Sequence, residues 1–398
     1  MISVKKALSI IEKVKYSVGT EYIASNKALG RIVSENVLSK TDNPPFNMSA
    51  MDGYAVCNKP HNKVYKVVGE IFAGHSMSKK KILKNEAVRV YTGSKLPQGT
   101  TTVIIQEKTK VLDNNFILHT NNSLKIGEYV RKKGLDFKKN KTIIKSGKIL
   151  NARDIALLIS ANCKNIKVFK KPKVSILSTG DELIFSEKIK KDSNIFASSL
   201  YMLEALIHLS FSECIHKTIV KDNKNKIKKA LREAIKSDII ITTGGVSVGK
   251  KDLIRSSLIE LGFEEKFWKI TMRPGKPLLF GILKSKPVFS LPGNPVSTYV
   301  CFLIFIFPFL IKILNLKNNY YKKIAKLANN TKLASKRESY LRGFFYKQNN
   351  ENFVKCLSNQ DSSLLNMLAT SNCLIKIPSN KKYSKNMFVE IILFPPLF

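Results

Sequence analysis

The alternation of apolar and polar residues predicts a helical start followed by a β-rich segment. Behind Ser3, a good N-cap residue, apolar side chains recur every three or four positions from Val4 to Ile11. From about Val64 to Lys145, short β runs are broken by Gly, Pro and Asn. A second helix is predicted over residues 151–161, with Asn151 as its N-cap.

The following segment, up to about Leu316, alternates strands with helices. We expect strands in VSILSTG (174–180), DIIITTGG (238–245) and PVFSLPG (287–293), helices near 194–209, 224–236 and 252–261, and a long apolar helix at the end. This alternation predicts a doubly wound α/β domain with a largely parallel sheet. A small C-terminal β domain is predicted from about Tyr320 onward, on the β-like runs YLRGFFY, NFVKCL, CLIKIP and MFVEIILF.

Length and charge narrow the class of protein. The chain has 398 residues, and at about one domain per 150 residues we expect two to four domains. The formal net charge of +39 would suit an anionic partner. However, the lysines are scattered through every region and are not interleaved with aromatic residues, so we expect no nucleic-acid partner.

The cysteines and the apolar segments indicate a cytoplasmic protein. The six cysteines show no metal-ligand spacing and read as reduced thiols. The N-terminus lacks the pattern of a signal peptide. The apolar stretch Tyr299–Leu316 contains Pro308 and Lys312 and falls short of the roughly 20 residues that a membrane span needs, so we predict a buried helix and no membrane contact.

Three predicted strands of the α/β segment end in unusual loops: STGDE (178–182), TTGGVSVG (242–249) and LPGNPVS (291–297). In open α/β sheets, ligands bind outside the carboxyl ends of the strands, so these loops predict one shared pocket. Gly244 and Gly245 let the backbone approach a ligand closely. Neither GxxxxGK[ST] nor a full GxGxxG is present, which disfavours a P-loop enzyme or an ordinary dinucleotide site.

Acidic residues stand near these strand ends. Asp181 and Glu182 follow the first strand, Asp222 precedes a predicted helix, and Asp252 stands at the start of another. Carboxylates beside a phosphate site commonly hold Mg²⁺. For Asp222 and Asp252, helix capping is an equally good explanation, and the sequence leaves both open.

A basic loop supplies the opposite charge. Lys269, Arg273 and Lys276 fall within eight residues, in a segment stiffened by proline and glycine. A rigid cationic loop suits a compact dianion or a phosphate, although loop lysines are often only solvated.

A second group of polar residues lies in the N-terminal half. Ser49 and Asp52 stand in SAMDGYA, Thr92 in RVYTGS, and Arg131 and Asp136 in VRKKGLD. Asp52 with Gly53 predicts a turn that exposes a carboxylate, and an ordinary surface turn is the alternative.

Over essentially the whole chain, the sequence resembles one family, the molybdopterin molybdenumtransferases (MoeA and the gephyrin E domain). The resemblance rests on eight motifs in this order: SAMDGYA, RVYTG, YVRKKGLD, STGDEL, DSN (192–194), TTGGVSVG, RPGKP and LPGNPVS. The resemblance implies an elongated homodimer of four-domain subunits. It implies an elongated domain I (1–45 plus about 140–171), a β-rich domain II (46–139), an α/β molybdopterin-binding domain III (172–318) and a C-terminal β domain IV (319–398). It also implies an active site between domain III of one subunit and domain II of the other.

The resemblance implies a reaction in molybdenum cofactor biosynthesis. Adenylylated molybdopterin, handed over from the molybdopterin adenylyltransferase, would react with molybdate to release AMP, with Mg²⁺ or another divalent cation assisting. The implied catalytic residues are Asp52, Asp136, Glu182, Asp222, Asp252, Lys269 and Arg273. The implied substrate-binding residues are Ser49, Thr92, Arg131, Gly244, Gly245, Ser247, Lys276, Pro292, Pro295 and Ser297, and the implied metal ligands are Asp181, Glu182 and Asp252.

The chain departs from the family pattern at two positions. Arg273 stands where a lysine is common, and Lys190 and Lys191 replace a glycine before DSN. Two alternative functions remain. One is a molybdopterin adenylyltransferase, which would not require residues 1–170 or the β-rich tail, and the other is a receptor-clustering scaffold of the gephyrin type.

Overall fold

A computed structural model describes residues 1–57, 63–75, 81–113, 115–120, 124–189, 191–244, 252–316, 322–331 and 335–395. The chain forms two compact units. One comprises Tyr22–Val168, and the other combines Met1–Glu21 with Phe169–Phe398. The predicted division into four domains stays a prediction.

The unit Tyr22–Val168 is built on a six-stranded sheet with buried valines and isoleucines at its centre. The strand order is Thr100–Ile105, Gly53–Cys57, Glu86–Val90, Val64–Ile71, Phe116–His119 and Thr109–Asp113. Shorter pairs join Val37–Leu38 to Thr142–Ile144, Met48–Ser49 to Val130–Arg131, and Thr20–Ala24 to Asn165–Phe169. These strands confirm the predicted β-rich segment.

The helix of this unit is Ala152–Ser160, within the predicted range. The Asn151 side chain accepts hydrogen bonds from the backbone N–H groups of Arg153 and Asp154, and the Asp154 carboxylate accepts from the Asn151 N–H. This reciprocal cap satisfies donors that a helix start would otherwise leave without partners. Short 3₁₀ turns occur at Ser25–Lys27 and Gln106–Lys108.

The second unit contains the predicted α/β domain. Its sheet has the order Glu213–Val220, Lys173–Thr179, Ile239–Thr243, Lys286–Leu291, Leu279–Leu283 and Glu264–Trp268. The first four strands are parallel to one another. Leu279–Leu283 is antiparallel to its neighbour Lys286–Leu291, and Glu264–Trp268 is antiparallel to Leu279–Leu283. The helices of this domain are Ser198–Leu209, Lys224–Ala234 and Leu253–Glu260, and the last two share one apolar core with the sheet.

The predicted α/β pattern was wrong at one helix start and missed three strands, Glu213–Val220, Glu264–Trp268 and Leu279–Leu283. The helix expected near 194–209 begins only at Ser198, because Ile195–Phe196 forms a short strand parallel to Leu183–Ile184. The strand Glu213–Val220 was not predicted. Its side chains are mostly only partly buried at the sheet edge, so the sequence ECIHKTIV carries a weak apolar signal.

The long apolar helix follows the last parallel strand. It runs as Pro295–Cys301, a π-helical turn Phe302–Ile306, and Phe307–Ile313. By length and composition, Pro295–Ile313 could cross a membrane, but 83% of its most apolar window is buried inside the protein. The ring of Phe309 packs on Phe289 of the sheet, with centroids 5.7 Å apart. The prediction of a buried helix is confirmed.

The C-terminal strands close into a small barrel. In sheet order they are Glu338–Gln348, Glu351–Cys356, Lys322–Leu327, Phe388–Leu393 and Cys373–Ile377, and the last pairs back to the first. The short helix Leu365–Ala369 lies between two of them in sequence. Met272–Arg273 of the α/β domain adds to this barrel as a parallel strand beside Glu338 and Ser339. The predicted C-terminal β domain is confirmed, and the basic loop is attached directly to it.

The N-terminal helix Val4–Glu12 belongs to the same unit. Ser3 caps it, as predicted, by accepting a hydrogen bond from the Lys6 N–H. Beyond the helix, the Tyr16 hydroxyl donates to Asp238 Oδ1 over 2.9 Å, which ties this segment to the start of a central strand.

Candidate functional site

The three loops at the strand ends come together at their backbones. A Cβ atom added to Gly244 would lie 2.4 Å from the Thr179 carbonyl oxygen, and one added to Gly293 would lie 3.4 Å from the Gly244 Cα atom. Ser178 and Thr243 also share a hydrogen bond of 2.8 Å between their hydroxyl oxygens. The expected convergence of these loops is therefore observed. Of the predicted residues here, Gly245 and Ser247 lie outside the described part of the chain.

The LPGNPVS loop is held by its own sequence. Asn294 caps the apolar helix by accepting from the Val296 N–H, and Pro295 occupies the first helical position, where its missing N–H costs nothing. The Thr298 hydroxyl donates to the carbonyl oxygen of Pro292 over 2.7 Å. The loop is thus fixed at both ends, and it places the buried Ser297 on the first turn of the helix.

The acidic residues form two separate groups. Asp181 Oδ1 accepts a hydrogen bond of 3.2 Å from the Asp222 N–H, so these two residues are neighbours. Asp222 does not cap the following helix, because Asn223 does. The Glu182 carboxylate lies against the backbone of Gly180 and is exposed.

Asp252 has a different environment. Its Oδ1 atom accepts from the Arg255 N–H over 3.0 Å and caps the helix Leu253–Glu260, so the capping explanation applies here. Its Oδ2 atom is buried and has no hydrogen-bond partner among the residues that the structure describes. Burial raises the pKa of this carboxyl group above its usual value. Asp252 thus combines a structural cap with a buried carboxylate oxygen whose hydrogen-bonding capacity is unused within the described residues.

Within the described ranges, no three His, Cys, Asp or Glu side chains are grouped closely enough to enclose a metal ion. The carboxylates that are present offer hard oxygen donors from two directions, and one of those oxygens is buried and unpaired. Mg²⁺ commonly keeps several waters and takes one or two carboxylates together with the phosphate oxygens of a substrate. The residues therefore fit an ion that arrives with a phosphorylated substrate better than one held by protein alone.

The three predicted basic residues do not all line one cavity. The ammonium of Lys269 lies 3.7 Å from the ring centroid of Trp268. The Arg255 guanidinium is 4.3 Å from the same ring and also donates to Glu265. Cation–π contacts of this kind hold Lys269 in place.

Arg273 and Lys276 line a different feature, which we call the cationic cavity. It has a volume of about 270 Å³ and lies between the RPGKP loop, the start of the apolar helix and the barrel. Its polar lining residues are Arg273, Lys276, Ser297, Arg337, Arg342, Gln360, Asp361 and Ser362. Four of these side chains carry a positive charge and one carries a negative charge, so the cavity favours an anion.

Arg342 is the most constrained of these cations. Only 2% of it is exposed. Its guanidinium donates to the carbonyl oxygens of Asp361 (3.0 Å) and Asn359 (3.2 Å), while Nε is buried with no acceptor in the described ranges. Burial lowers the pKa of this group from its usual value. A buried cation with an unused donor at a cavity wall is a binding feature for an oxyanion.

The local sequence explains how the RPGKP loop reaches this position. Gly275 adopts a φ of +107°, and a Cβ atom there would lie 2.6 Å from Cys301 Sγ of the apolar helix. Only glycine therefore fits where the loop crosses the helix.

Sequence reasoning missed Arg337, Arg342, Gln360 and Asp361. One signal was present, because Arg342 interrupts the otherwise apolar strand start YLRGFF. A charged residue at a strand position that should be buried indicates a paired or ligand-binding group. The other residues come from loops whose approach to the RPGKP segment depends on the barrel closing.

The second predicted group is partly assembled within the unit Tyr22–Val168. Asp52 Oδ1 accepts from both the N–H (2.7 Å) and the hydroxyl (2.8 Å) of Thr92. The Thr92 backbone N–H is the main cause that holds the pKa of Asp52 below its usual value, so Asp52 stays ionised. Ser49 is buried beside them, and its carbonyl oxygen accepts from the Gly93 N–H.

Arg131 and Asp136 lie on the segment that runs along Ser49. Arg131 is paired with Met48 in a short antiparallel ribbon, and its side chain is exposed. Asp136 accepts from the Asn43 side chain over 3.0 Å and is not bonded to the Asp52–Thr92 pair. The fold thus brings together four of the five predicted residues, Ser49, Asp52, Thr92 and Arg131. Asp136 lies at the other end of the segment 131–136.

Comparison with protein families covers most of the chain in three parts. The MoeA N-terminal region (domain I and II) matches residues 2–162, a probable molybdopterin binding domain matches 175–312, and the MoeA C-terminal region (domain IV) matches 324–394.

Individual relatives are similar to this chain over nearly its full length. A molybdopterin molybdenumtransferase of Haemophilus influenzae is 32% identical over 96% of this chain and 95% of its own. A molybdopterin molybdenumtransferase of a Nostoc species is 34% identical over 98% and 92%. The crystal structure of the molybdopterin biosynthesis protein MoeA of Pyrococcus horikoshii is 30% identical and superimposes with a TM-score of 0.87 over 99% of both chains. The chain therefore belongs to the MoeA family of molybdopterin molybdenumtransferases, transferases of molybdenum cofactor biosynthesis.

Proposed function

We propose that this protein inserts molybdenum from molybdate into adenylylated molybdopterin and releases AMP. In this reaction water cleaves the phosphoanhydride bond and AMP leaves, while the two dithiolene sulfurs replace oxygens of molybdate, which leave as water with the thiol protons. The relatives that align over nearly the full length of the chain are named molybdopterin molybdenumtransferases. The observation that carries the proposal is the cationic cavity, because a compact dianion needs a small site with several fixed cations.

We assign molybdate to the cationic cavity. Arg342 and Arg273 can present guanidinium donors to its oxygens, and Lys276 adds a third positive charge. The Ser297 hydroxyl, on the first turn of the apolar helix, supplies a neutral donor. Holding these groups rigidly before the substrate arrives lowers the cost of organising the site.

The nucleotide and pterin belong to the convergent loops. Close backbone approach at Gly244 and Gly293, with Pro292 and Pro295 below, forms a narrow surface for the substrate. Asp181, Glu182, Asp222 and Asp252 would face its phosphates, with Lys269 held beside them on Trp268.

Magnesium or another divalent cation would stand between those carboxylates and the phosphates. Asp252 Oδ2, which is buried and unpaired, is the best candidate ligand, with Asp181 and Glu182 as the others. When bound, the ion would neutralise charge that develops on the leaving phosphate.

A homodimer would complete the site. We propose that Ser49, Asp52, Thr92, Arg131 and Asp136 of one subunit act on substrate held by the convergent loops of its partner. The ionised Asp52, fixed by Thr92, would be the main acidic contribution. We further propose that the protein is cytoplasmic and receives its substrate from the molybdopterin adenylyltransferase.

The two alternative functions have less support. An adenylyltransferase would need neither the N-terminal region nor the C-terminal barrel, yet both match MoeA regions. The chain spans 63% of the length of the gephyrin of Dictyostelium discoideum, at 30% identity. No contact within the described residues favours a scaffold over an enzyme.

The test is release of AMP by the purified protein. With adenylylated molybdopterin as substrate, we expect AMP release that depends on molybdate and is lost in Asp52→Ala and Asp181→Ala. Consumption of ATP in the presence of molybdopterin would instead indicate the adenylyltransferase. Undiminished turnover in both variants would refute the assignment of these residues.

A further inference from the structure

An aromatic pair stands at one end of the sheet in the unit Tyr22–Val168, beside Asp52 and Thr92. The rings of Phe72 and Tyr91 are stacked with centroids 4.7 Å apart and planes within 8° of each other. Phe72 nevertheless remains 49% exposed. An exposed, ordered aromatic ring is a surface on which another flat ring can stack.

The strands fix the position of this pair. Val64–Ile71 and Glu86–Val90 are parallel neighbours, with Glu70 beside Arg89. Phe72 and Tyr91 are the next residues on the same faces, two positions further along each chain, because side chains alternate along a strand. The two rings therefore follow directly on the ends of two paired strands.

Polar contacts fix the ring of Tyr91, on which Phe72 stacks. The Tyr91 hydroxyl donates to Glu70 Oε1 over 2.5 Å. Arg89 is 3.5 Å from the same carboxylate, and its guanidinium lies 5.5 Å from the centre of the Tyr91 ring. With Tyr91 fixed in this way, Phe72 is held in one orientation by the stack, at little further entropic cost on binding.

The pair is adjacent to the residues assigned to substrate. Tyr91 directly precedes Thr92, which holds Asp52. Arg89 is close enough to help keep Asp52 ionised. Glu70 and Arg89, which contact Tyr91, also line an open groove of about 540 Å³ together with Tyr54.

We propose that Phe72, supported by Tyr91, is a stacking residue for a flat heteroaromatic ring of the substrate. This inference rests on the proposed function, since adenylylated molybdopterin carries two such rings, the adenine and the pterin. Phe72 contributes affinity and orientation, and no bond is made or broken at this position.

The experiment compares three substitutions of Phe72 in the full-length protein. Phe72→Ala and Phe72→Leu remove the ring, Leu retaining much of its apolar area, whereas Phe72→Tyr keeps the ring. Phe344→Ala, which removes a similarly exposed ring (46%) from the C-terminal barrel, is the matched control. Binding of AMP and of a 6-substituted pterin is measured by calorimetry, and KM and kcat are measured for AMP release.

We expect Phe72→Ala and Phe72→Leu each to raise the KM for adenylylated molybdopterin by about tenfold, with kcat little changed. Phe72→Tyr and Phe344→Ala should resemble the wild type. Weaker binding of AMP alone assigns the stack to adenine, and weaker binding of the pterin alone assigns it to the pterin.

The inference is overturned if Phe72→Ala leaves KM and both affinities unchanged, or if Phe72→Leu behaves as the wild type, since apolar contact would then suffice. It is also overturned if Phe72→Ala changes only the oligomeric state in light scattering, because a second copy would then cover the ring. A wild-type protein that releases no AMP would instead contradict the proposed function itself.

Discussion

At the residue scale, the proposed molybdate site depends most on the environment of Arg342. Its guanidinium is buried and bonded to two backbone carbonyl oxygens, and its Nε atom has no acceptor in the part of the chain that the structure describes. Removing a cation from water is costly unless other groups compensate. An oxyanion in the cationic cavity would provide both the missing charge and the missing acceptor.

Arg342→Lys tests this role directly. Lysine keeps the charge but loses the planar fork, so we expect the KM for molybdate to rise at least about tenfold. The KM for adenylylated molybdopterin should change much less. Lys347→Ala, which removes an exposed cation from the same strand, is the control. Equal molybdate KM values in a folded Arg342→Lys protein would contradict the assignment.

Asp252 gives a prediction on stability against pH. Burial raises the pKa of its folded-state carboxyl group, so ionisation at neutral pH opposes folding. Asp252→Asn keeps an N-cap and removes this charge, so we expect a higher melting temperature at pH 7. The gain should shrink as the pH falls through the folded pKa, and vanish below the unfolded pKa, where the wild-type carboxyl is protonated in both states. A gain that does not change with pH would contradict this explanation.

The sequence predicted the contacts of some site residues better than those of others. Asp52 and Thr92 could be selected because glycine turns place them at strand ends, and they are in contact. Lys269 and Arg273 are four residues apart in the sequence, but Lys269 lies on Trp268 while Arg273 lines the cationic cavity. Residue spacing in a loop does not define side-chain direction, so this separation required the structure.

At the scale of elements, the RPGKP loop connects the α/β domain to the barrel. Its first residues form a strand with the barrel, and Gly275 passes against Cys301 of the apolar helix. The cationic cavity exists because these elements meet.

Gly275→Ala tests this crossing. The left-handed backbone and the overlap with Cys301 should together lower the free energy of unfolding by about 2 kcal/mol or more. Gly262→Ala is the matched control, because its φ is +86° and no atom lies within 4 Å of the added Cβ. Adding Cys301→Ala should recover part of the loss in a double-mutant cycle. Absence of any coupling between positions 275 and 301 would contradict the proposed contact.

The elements themselves were largely predictable from sequence, with informative exceptions. Strands such as Ile239–Thr243 are buried on both faces and have continuous β-branched sequences. The edge strands Glu213–Val220 and Glu264–Trp268 expose much of their surface and therefore resemble loops or helices in sequence. Their pairing depends on the neighbouring strands, which no local pattern records.

At the scale of the whole molecule, the proposed active site combines residues of one subunit with residues of its partner. The family match predicts the domain content, but neither the sequence nor a single chain reveals the assembly. The proposed homodimer therefore calls for a test that reports on function.

Mixed dimers provide that test. Asp52→Asn and Lys276→Ala should each abolish turnover, because each damages every site of its own homodimer. When the two variants are unfolded together and reassembled, half of the dimers are mixed and each holds one intact site. We expect recovery of about a quarter of the wild-type activity. No recovery, despite mixed dimers seen by mass spectrometry, would place the complete site within one subunit.

The most direct measurement of the central claim is anomalous scattering at the molybdenum edge from crystals soaked with molybdate and AMP. The account predicts a molybdenum peak in the cationic cavity, within hydrogen-bond reach of Arg273, Ser297 and Arg342 through the molybdate oxygens. An occupied molybdenum site elsewhere, with this cavity empty at saturating molybdate, would contradict it.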